Sequence, residues 1–304
     1  MEAGKAVFVK RSRCGKIWAM RLVERVDYKP SLGQRLRSKY YEIEGGWAGK
    51  LLESWYGGCG LDEPENQENF DLLKEHLKKG SALVVPNHLA ANDALTVIAS
   101  LLYKLDGEAR VIGGVQAQKH CDYRRNPKNA LFLKVIPGIF RIETRPVVQH
   151  YDLASYDEKT TGRLYRRYVK WGKSILRQPG GVLVLAPEGT RSGGPLLVAQ
   201  KGVEHAVDWG KQPFGSTKED VEASIFPFAI IPLGEYERDS FNVGRPFLVK
   251  TIPPFTKEGL KREMPELSIR DGVMVKLGRL LPPEMWGYYA PDIIEYILFN
   301  ERLL

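Results

Sequence analysis

The sequence predicts an α/β protein in which a largely parallel sheet is flanked by helices, preceded by a basic N-terminal extension. Two observations predict this fold. Short, continuous apolar segments typical of buried strands, such as SALVVP at 81–86, alternate with longer segments of helical pattern. Strands that alternate with helices favour a parallel sheet, because each crossover connection lays its helix against the sheet. The 304 residues, 43% of them apolar, suffice for one large domain with an extension.

The N-terminal part is the less regular part of the sequence. Residues 6–26 fit either a hairpin around Arg13 to Lys16 or an amphipathic helix, and the pattern leaves both open. After an aromatic and glycine-rich stretch, the acidic and polar segment DEPENQEN at 62–69 predicts a linker. We therefore expect a basic and aromatic extension over residues 1–65, with membrane association as one possible role, and the main domain over residues 66–304.

The main domain is expected to begin with a helix and then to alternate between strands and helices. The predicted helices cover Phe70 to Lys79, Asp93 to Lys104 and a part of Tyr165 to Leu176. The predicted strands cover 81–86, Arg110 to Val115, Gly181 to Ala186, Ser224 to Ile231 and Phe247 to Ile252.

Positive charge is concentrated at the N-terminus. The chain has a net charge of +8, and residues 1 to 40 contain 11 Lys or Arg against Glu2, Glu24 and Asp27, so this segment accounts for all of it. A basic segment attracts any polyanion. It fits a membrane surface, a nucleic acid, or a solvated arm with no dedicated partner.

The cysteines and the apolar segments indicate the compartment. Cys14, Cys59 and Cys121 are odd in number and lack CxxC spacing, which predicts neither a disulfide framework nor a zinc knuckle. The first residues lack the apolar core of a signal peptide, and the longest apolar stretch, Ile225 to Leu233, is far shorter than the roughly 20 residues of a spanning helix. We expect a cytoplasmic protein.

The first candidate site follows the first buried strand, in VVPNHLAANDAL. Two residues five apart on one continuous helix diverge by about 140°, so His88 and Asp93 can meet only if His88 lies in the loop and Asp93 in the first helical turn. There the helix dipole favours an ionised carboxylate, which can accept a hydrogen bond from one imidazole nitrogen and leave the other to take a proton from a hydroxyl. For this pair alone, a structural histidine and a capping aspartate are the alternative.

The second candidate site is in GGVLVLAPEGTRSGG, where an apolar strand runs into a polar turn that carries Glu188, Gly189, Thr190 and Arg191. Sites in open α/β sheets gather at the carboxyl ends of strands, so we expect this turn at the same edge as His88. Glycine permits close backbone approach, and a guanidinium offers forked donors suited to phosphate oxygens. A surface turn with a Glu and Arg ion pair is the alternative for this segment alone.

Together, NHxxxxD and PEGTRS, about 100 residues apart, resemble the signature of the glycerolipid acyltransferase family that includes 1-acyl-glycerol-3-phosphate acyltransferase. PGIFRIETR at 137–145 resembles the second block of the family, and FPFAI at 226–230 resembles the fourth. Ala199 to Gly202 matches the lysine and glycine that follow the EGTR turn. The resemblance covers residues 70 to 250.

The chain also departs from the family pattern in two places. The second block is about one residue longer between Gly138 and Arg145, so Arg145 is the expected phosphate ligand and Arg141 is the alternative. The hydrophobic helices that anchor many members of the family are not evident before residue 70. How this chain would meet a lipid is therefore open.

The resemblance implies transfer of an acyl group from acyl-CoA or acyl-carrier protein to a hydroxyl of 1-acyl-glycerol-3-phosphate, in phospholipid biosynthesis and without a metal or other cofactor. His88 is then the general base, and Asp93 fixes its tautomer. Arg191, with Arg145, holds the acceptor phosphate. The implied substrate-binding set is Glu188, Gly189, Thr190, Arg191, Arg145 and Lys201.

Several alternatives remain at this stage. The same chemistry on glycerol-3-phosphate or another lysophospholipid is the nearest, and a non-catalytic lipid-binding relative belongs to a different class. The sequence contains no GxSxG, GxxxxGK[ST] or HExxH motif, and its histidines lack metal-ligand spacing. We expect an acyl thioester donor, a glycerophosphate-type acceptor and a peripheral membrane surface as partners, rather than a nucleic acid, because the basic arm contains no recognisable DNA or RNA module.

Overall fold

The computed structural model describes residues 8–11, 17–20, 58–89, 93–105, 108–117, 142–148, 156–213, 216–234, 236 and 247–295. The chain divides into two compact units, Met1–Glu44 and Gly45–Leu304. In the first unit, β1 (Phe8–Arg11) and β2 (Ile17–Met20) pair antiparallel, with Phe8 opposite Met20. Of the two patterns that the sequence leaves open here, the structure shows the hairpin.

The second unit contains a sheet with helices on both faces. Its strands are β3 (Gly58–Cys59), β4 (Ser81–Pro86), β5 (Val111–Ala117), β6 (Ile142–Val147), β7 (Gly181–Val184), β8 (Ala223–Pro232) and β9 (Phe247–Thr251). Its α-helices are α1 (Pro64–Leu77), α2 (Asp93–Lys104), α3 (Glu158–Leu176), α4 (Lys201–Ala206), α5 (Lys257–Glu263) and α6 (Ile269–Gly278). Two short 3-10 helices follow, Pro283–Met285 and Gly287–Tyr289.

The strands lie in the order β3-β9-β8-β4-β7-β5-β6. The five strands from β8 to β6 are parallel, β9 runs antiparallel to β8, and β3 pairs parallel to β9. The predicted α/β fold with a largely parallel sheet is therefore confirmed. The central strand β4 is buried along its whole length, as its continuous apolar sequence predicts, because it has neighbours on both sides and helices on both faces.

Alternate residues of the strands face the two helical layers. On one face, Phe70 of α1 packs against Phe226 and Phe228 of β8, with ring centroids 5.4 Å and 6.5 Å away. On the other face, Ile225 of β8 joins a cluster contributed by α3, α5 and α6, which includes Trp171, Ile175, Leu260 and Val273. The core therefore has two layers, one on each side of the sheet.

The linker predicted over 62–69 is wrong, because α1 already begins at Pro64. Proline at the first helical position has no N–H to leave unpaired. Two of its polar residues are buried rather than solvated: the Asn66 amide donates to Val249 O at 2.9 Å, and the Asn69 amide donates to Thr251 O at 3.0 Å. The segment is thus fixed to β9 within the second compact unit, Gly45–Leu304.

Other differences concern the ends and the number of elements. The helix predicted within Tyr165 to Leu176 begins at Glu158, because the Asp157 side chain accepts the Thr160 N–H at 2.7 Å and caps it. Strands β3 and β6 and helices α4, α5 and α6 were not predicted from the sequence. Within the residues described above, no helix is both long and apolar enough to span a bilayer.

Candidate functional site

The candidate site lies where β4 and β7 end next to each other. Val84 of β4 is paired in parallel register with Val184 of β7. His88 and Glu188 each follow four residues after this pair, so they emerge at the same edge of the sheet. The expectation that the two motifs share one sheet edge is confirmed.

His88 and Asp93 meet in the geometry that their spacing requires. His88 lies in the loop after β4, and Asp93 is the first residue of α2. The imidazole Nδ1 lies 3.2 Å from Asp93 Oδ2, and the same oxygen accepts the Leu89 N–H. A carboxylate only accepts hydrogen bonds, so Nδ1 carries the hydrogen and Nε2 keeps its lone pair. Asp93 is buried, whereas the His88 side chain is 24% exposed and therefore within reach of a substrate.

Glu188 holds the main chain of His88. Its Oε1 accepts the His88 N–H at 2.8 Å, and its Oε2 accepts the Leu197 N–H at 2.9 Å. A further main-chain bond, from Ser192 N–H to His88 O at 2.7 Å, fixes the other side of the same residue. Glu188 is buried. Both of its oxygens are therefore engaged with backbone donors, and Glu188 acts in this structure as a positioning residue for His88.

The environment of Glu188 changes its protonation. Burial raises the pKa of Glu188 to about 7, against the lowering effect of the two backbone N–H bonds, and the charge of Asp93 adds to the rise. Desolvation disfavours the charged form of a carboxyl group, which explains the direction. The residue is thus poised between its ionised and neutral forms near neutral pH.

Asn87 fixes the other flank of the His88 loop. The fully buried amide donates to Ile230 O at 2.9 Å and accepts the Ile230 N–H at 2.7 Å. Because Pro86 is the last β4 residue paired with β8, this side chain continues the ladder in place of a main chain. Together, Asn87 and Glu188 hold His88 between strand β8 and the loop after β7.

The loop after β7 is shaped by glycine and closed at its base. Gly189 and Gly193 have φ angles of 68° and 76°, which other residues rarely adopt. The Gln200 N–H donates to Pro187 O at 2.8 Å and closes the loop. Lys201, the first residue of α4, is exposed and is brought back to the start of the loop by this bond.

The other predicted site residues differ in their placement. Thr190 and Arg191 are partly exposed within the loop after β7, one to two residues beyond Gly189. Arg145 is exposed on β6, the outermost strand, and β7 and β5 lie between it and β4. Three strand spacings of about 4.8 Å separate β6 from β4, so the structure does not place Arg145 beside His88. Arg141 lies outside the described residues.

The loop is also attached to the segment that follows α6. The Leu196 N–H donates to Met285 O at 2.9 Å, and the Tyr288 N–H donates to Leu196 O at 3.0 Å. The Tyr289 hydroxyl accepts the Ala199 N–H and donates to Asp271 Oδ1, each at 3.0 Å. The shape of the loop thus depends on residues far along the chain.

One more aromatic residue lies at the site. A Cβ on Gly194 would be 3.5 Å from the Tyr236 hydroxyl, so this hydroxyl lies beside the loop. Burial raises the pKa of Tyr236, and the charge of Asp93 raises it further. The hydroxyl is therefore protonated at neutral pH and available as a donor.

Sequence reasoning assigned no role to Asn87, Tyr236 or Tyr289. Asn87 directly follows a buried strand. A buried amide at that position must be hydrogen-bonded, which predicts that its side chain pairs with a neighbouring strand. Tyr236 and Tyr289 have no comparable indication, because their partners are defined only by the fold.

No protein-family model and no curated protein matches this chain.

Proposed function

We propose that the protein is an O-acyltransferase that moves a fatty acyl group from acyl-CoA or acyl-carrier protein to a hydroxyl of 1-acyl-glycerol-3-phosphate. The observation that carries the proposal is the His88 and Asp93 pair, 3.2 Å apart and partly open to solvent, beside the loop that contains Arg191. A base and a guanidinium on neighbouring strand ends fit an acceptor that has both a hydroxyl and a phosphate.

The chemistry proceeds in one transfer. Nε2 of His88 removes the proton from the acceptor hydroxyl while its oxygen attacks the thioester carbonyl carbon. The carbon–sulfur bond then breaks, and the thiolate takes up the proton from the imidazolium. Asp93 holds the ring in the required tautomer and stabilises the imidazolium. General base catalysis is typically worth about 10²- to 10⁴-fold, and holding both substrates in place supplies a further part of the acceleration.

The proposed roles of the other residues follow from their contacts. Arg191 binds the acceptor phosphate. Glu188 has both oxygens bonded to backbone N–H groups, which supports a role in positioning His88 rather than in contacting the glycerol. Glycerol-3-phosphate and other lysophospholipids are alternative acceptors. The base and the guanidinium account for a hydroxyl and a phosphate on the acceptor, but they do not specify its acyl chain.

The test is release of free thiol from an acyl thioester by the purified protein. The acceptors are 1-acyl-glycerol-3-phosphate, glycerol-3-phosphate and an uncharged monoacylglycerol, with an acceptor-free reaction to measure hydrolysis. His88→Ala should abolish transfer and Asp93→Asn should reduce it severely. His205→Ala is the matched control, because His205 is exposed on α4.

Two outcomes contradict the proposal. One is turnover like that of the wild type in a folded His88→Ala protein. The other is thiol release that is equally fast with and without an acceptor, which would indicate hydrolysis. Absence of any transfer in the wild type with all acceptors would favour the non-catalytic lipid-binding alternative.

A further inference from the structure

Exposed apolar side chains are concentrated beside the candidate site. Among the described residues, six large apolar side chains are exposed, and four of them belong to segments at the sheet edge that carries His88. We call these four the apolar rim: Leu197, Val198, Leu233 and Tyr288, between 38% and 52% exposed. The other two, Leu72 on α1 and Tyr165 on α3, lie on separate helices.

The rim belongs to the same main-chain segments that hold His88. Leu197 donates its N–H to Glu188, whose other oxygen accepts the His88 N–H. The Tyr288 N–H donates to the main-chain oxygen of Leu196, the residue before Leu197. Leu233 follows β8 directly, three residues after the Ile230 that binds Asn87. Whatever covers the rim therefore lies beside the segments that hold His88.

The charge of the same loop indicates which kind of partner covers the apolar rim. From Gly189 to the end of α4 at Ala206 the chain contains two cationic residues, Arg191 and Lys201, and one acidic residue, Glu204, so the segment carries a net positive charge. Apolar side chains beside cations match a bilayer surface, where the acyl region takes up the apolar groups and anionic phosphates attract the cations. A protein partner with a purely apolar face would leave the exposed Lys201 without a counterpart.

We infer that the apolar rim docks on the surface of an anionic lipid bilayer and thereby opens the His88 site toward lipid. This inference rests on the proposed function, since an acceptor with a fatty acyl chain resides in a bilayer. It assigns the contact to the loop after β7 and its neighbours, independently of the basic segment over residues 1 to 40.

The test measures co-sedimentation of the full chain, without substrates, with vesicles of phosphatidylcholine and phosphatidylglycerol in 0.5 M salt. At this salt concentration the attraction of exposed charges is screened to a few ångströms, so apolar contacts dominate. Leu197→Gln/Val198→Gln should partition about tenfold more weakly than the wild type, because two half-exposed apolar side chains are lost. The control Leu72→Gln/Tyr165→Gln replaces equally exposed side chains and should bind within about twofold of the wild type.

The outcomes separate this inference from the proposed function. Weaker binding of the rim variant alone supports the inference, whether or not any acceptor is acylated. Binding of the rim variant like the wild type overturns it, even if a water-soluble acceptor is acylated normally. Equal loss in both double variants also overturns it. A wild-type dimer that the rim variant turns into a monomer, with vesicle binding unchanged, would assign the rim to a second copy of the chain instead.

Discussion

Replacing Asn87 with alanine is expected to disturb the position of His88 as well as the stability of the protein. The Asn87 amide is fully buried and forms two hydrogen bonds with the main chain of Ile230, at 2.9 Å and 2.7 Å. The substitution removes the side-chain amide that pairs with Ile230, and it leaves the buried N–H and C=O of Ile230 without a hydrogen-bond partner. It also releases the loop after β4 from β8.

The magnitude follows from these two groups. A buried polar group that loses its partner costs about 1 to 3 kcal/mol, so Asn87→Ala should lower the free energy of unfolding by about 3 kcal/mol. A displacement of about 1 Å at a catalytic group can cost about 10²-fold in rate. We therefore expect turnover per folded molecule to fall at least about tenfold.

Urea unfolding and thiol release, measured on the same preparation, check both parts. Leu77→Ala is the matched control, because Leu77 is fully buried at the end of α1, near the opposite end of β4 from His88. Deleting a buried leucine side chain costs about 2 to 5 kcal/mol, which is comparable to the expected loss for Asn87→Ala. The control should lose stability and keep its turnover. Equal turnover in the two variants would refute the positioning role of Asn87.

Three further predictions follow from the site and the charge distribution. The folded pKa of Glu188, about 7, exceeds its ordinary value of 4.5, so the free energy of unfolding is highest below pH 4.5 and falls by about 3 kcal/mol as the pH rises from 4.5 to about 7; Glu188→Gln should remove most of the difference between urea unfolding at pH 5 and at pH 8. Arg191→Ala should raise the KM of the phosphorylated acceptor at least about tenfold and that of the thioester little, as steady-state kinetics can measure. Deleting residues 1 to 40 should weaken binding to anionic vesicles at low salt and leave transfer to a water-soluble acceptor unchanged.

Each of these three has an outcome that contradicts it. Parallel pH profiles for the wild type and Glu188→Gln would show that Glu188 is not the titrating group. Equal changes in both KM values would remove Arg191 from phosphate binding. Vesicle binding that is indifferent to the deletion and to added salt would exclude the basic segment as the electrostatic contact, because exposed charges are screened over about 10 Å at 0.1 M salt.

The part of the site that the sequence predicts depends on local geometry. An apolar run of strand length followed by polar residues places His88 at a strand end, and the five-residue spacing requires Asp93 in the first helical turn. Both are confirmed because they depend only on strand length and helix pitch. The parallel sheet is predicted for a similar reason, since crossover helices between consecutive strands leave few other arrangements.

The part that the sequence does not predict depends on main-chain partners far apart in the chain. The resemblance implies that Glu188 binds substrate, but in the structure its oxygens accept N–H groups from His88 and Leu197. Any residue can supply a backbone N–H, so no side-chain pattern marks the partner. The linker prediction for 62–69 failed for a related reason: Asn66 and Asn69 are polar, but their partners are the carbonyl groups of β9.

The dependence of the loop after β7 on Tyr289 has a consequence during synthesis on the ribosome. The Ala199 N–H finds its partner hydroxyl 90 residues later, and Asn87 finds Ile230 143 residues later. Because the ribosome adds about 5 to 20 residues per second, Tyr289 is added about 5 to 20 s after Ala199. A nascent chain that has already paired β4 with β7 therefore still lacks the contacts that hold His88 and its neighbours. We expect catalytic competence to be acquired as one of the last events of biogenesis, after most of the sheet has formed.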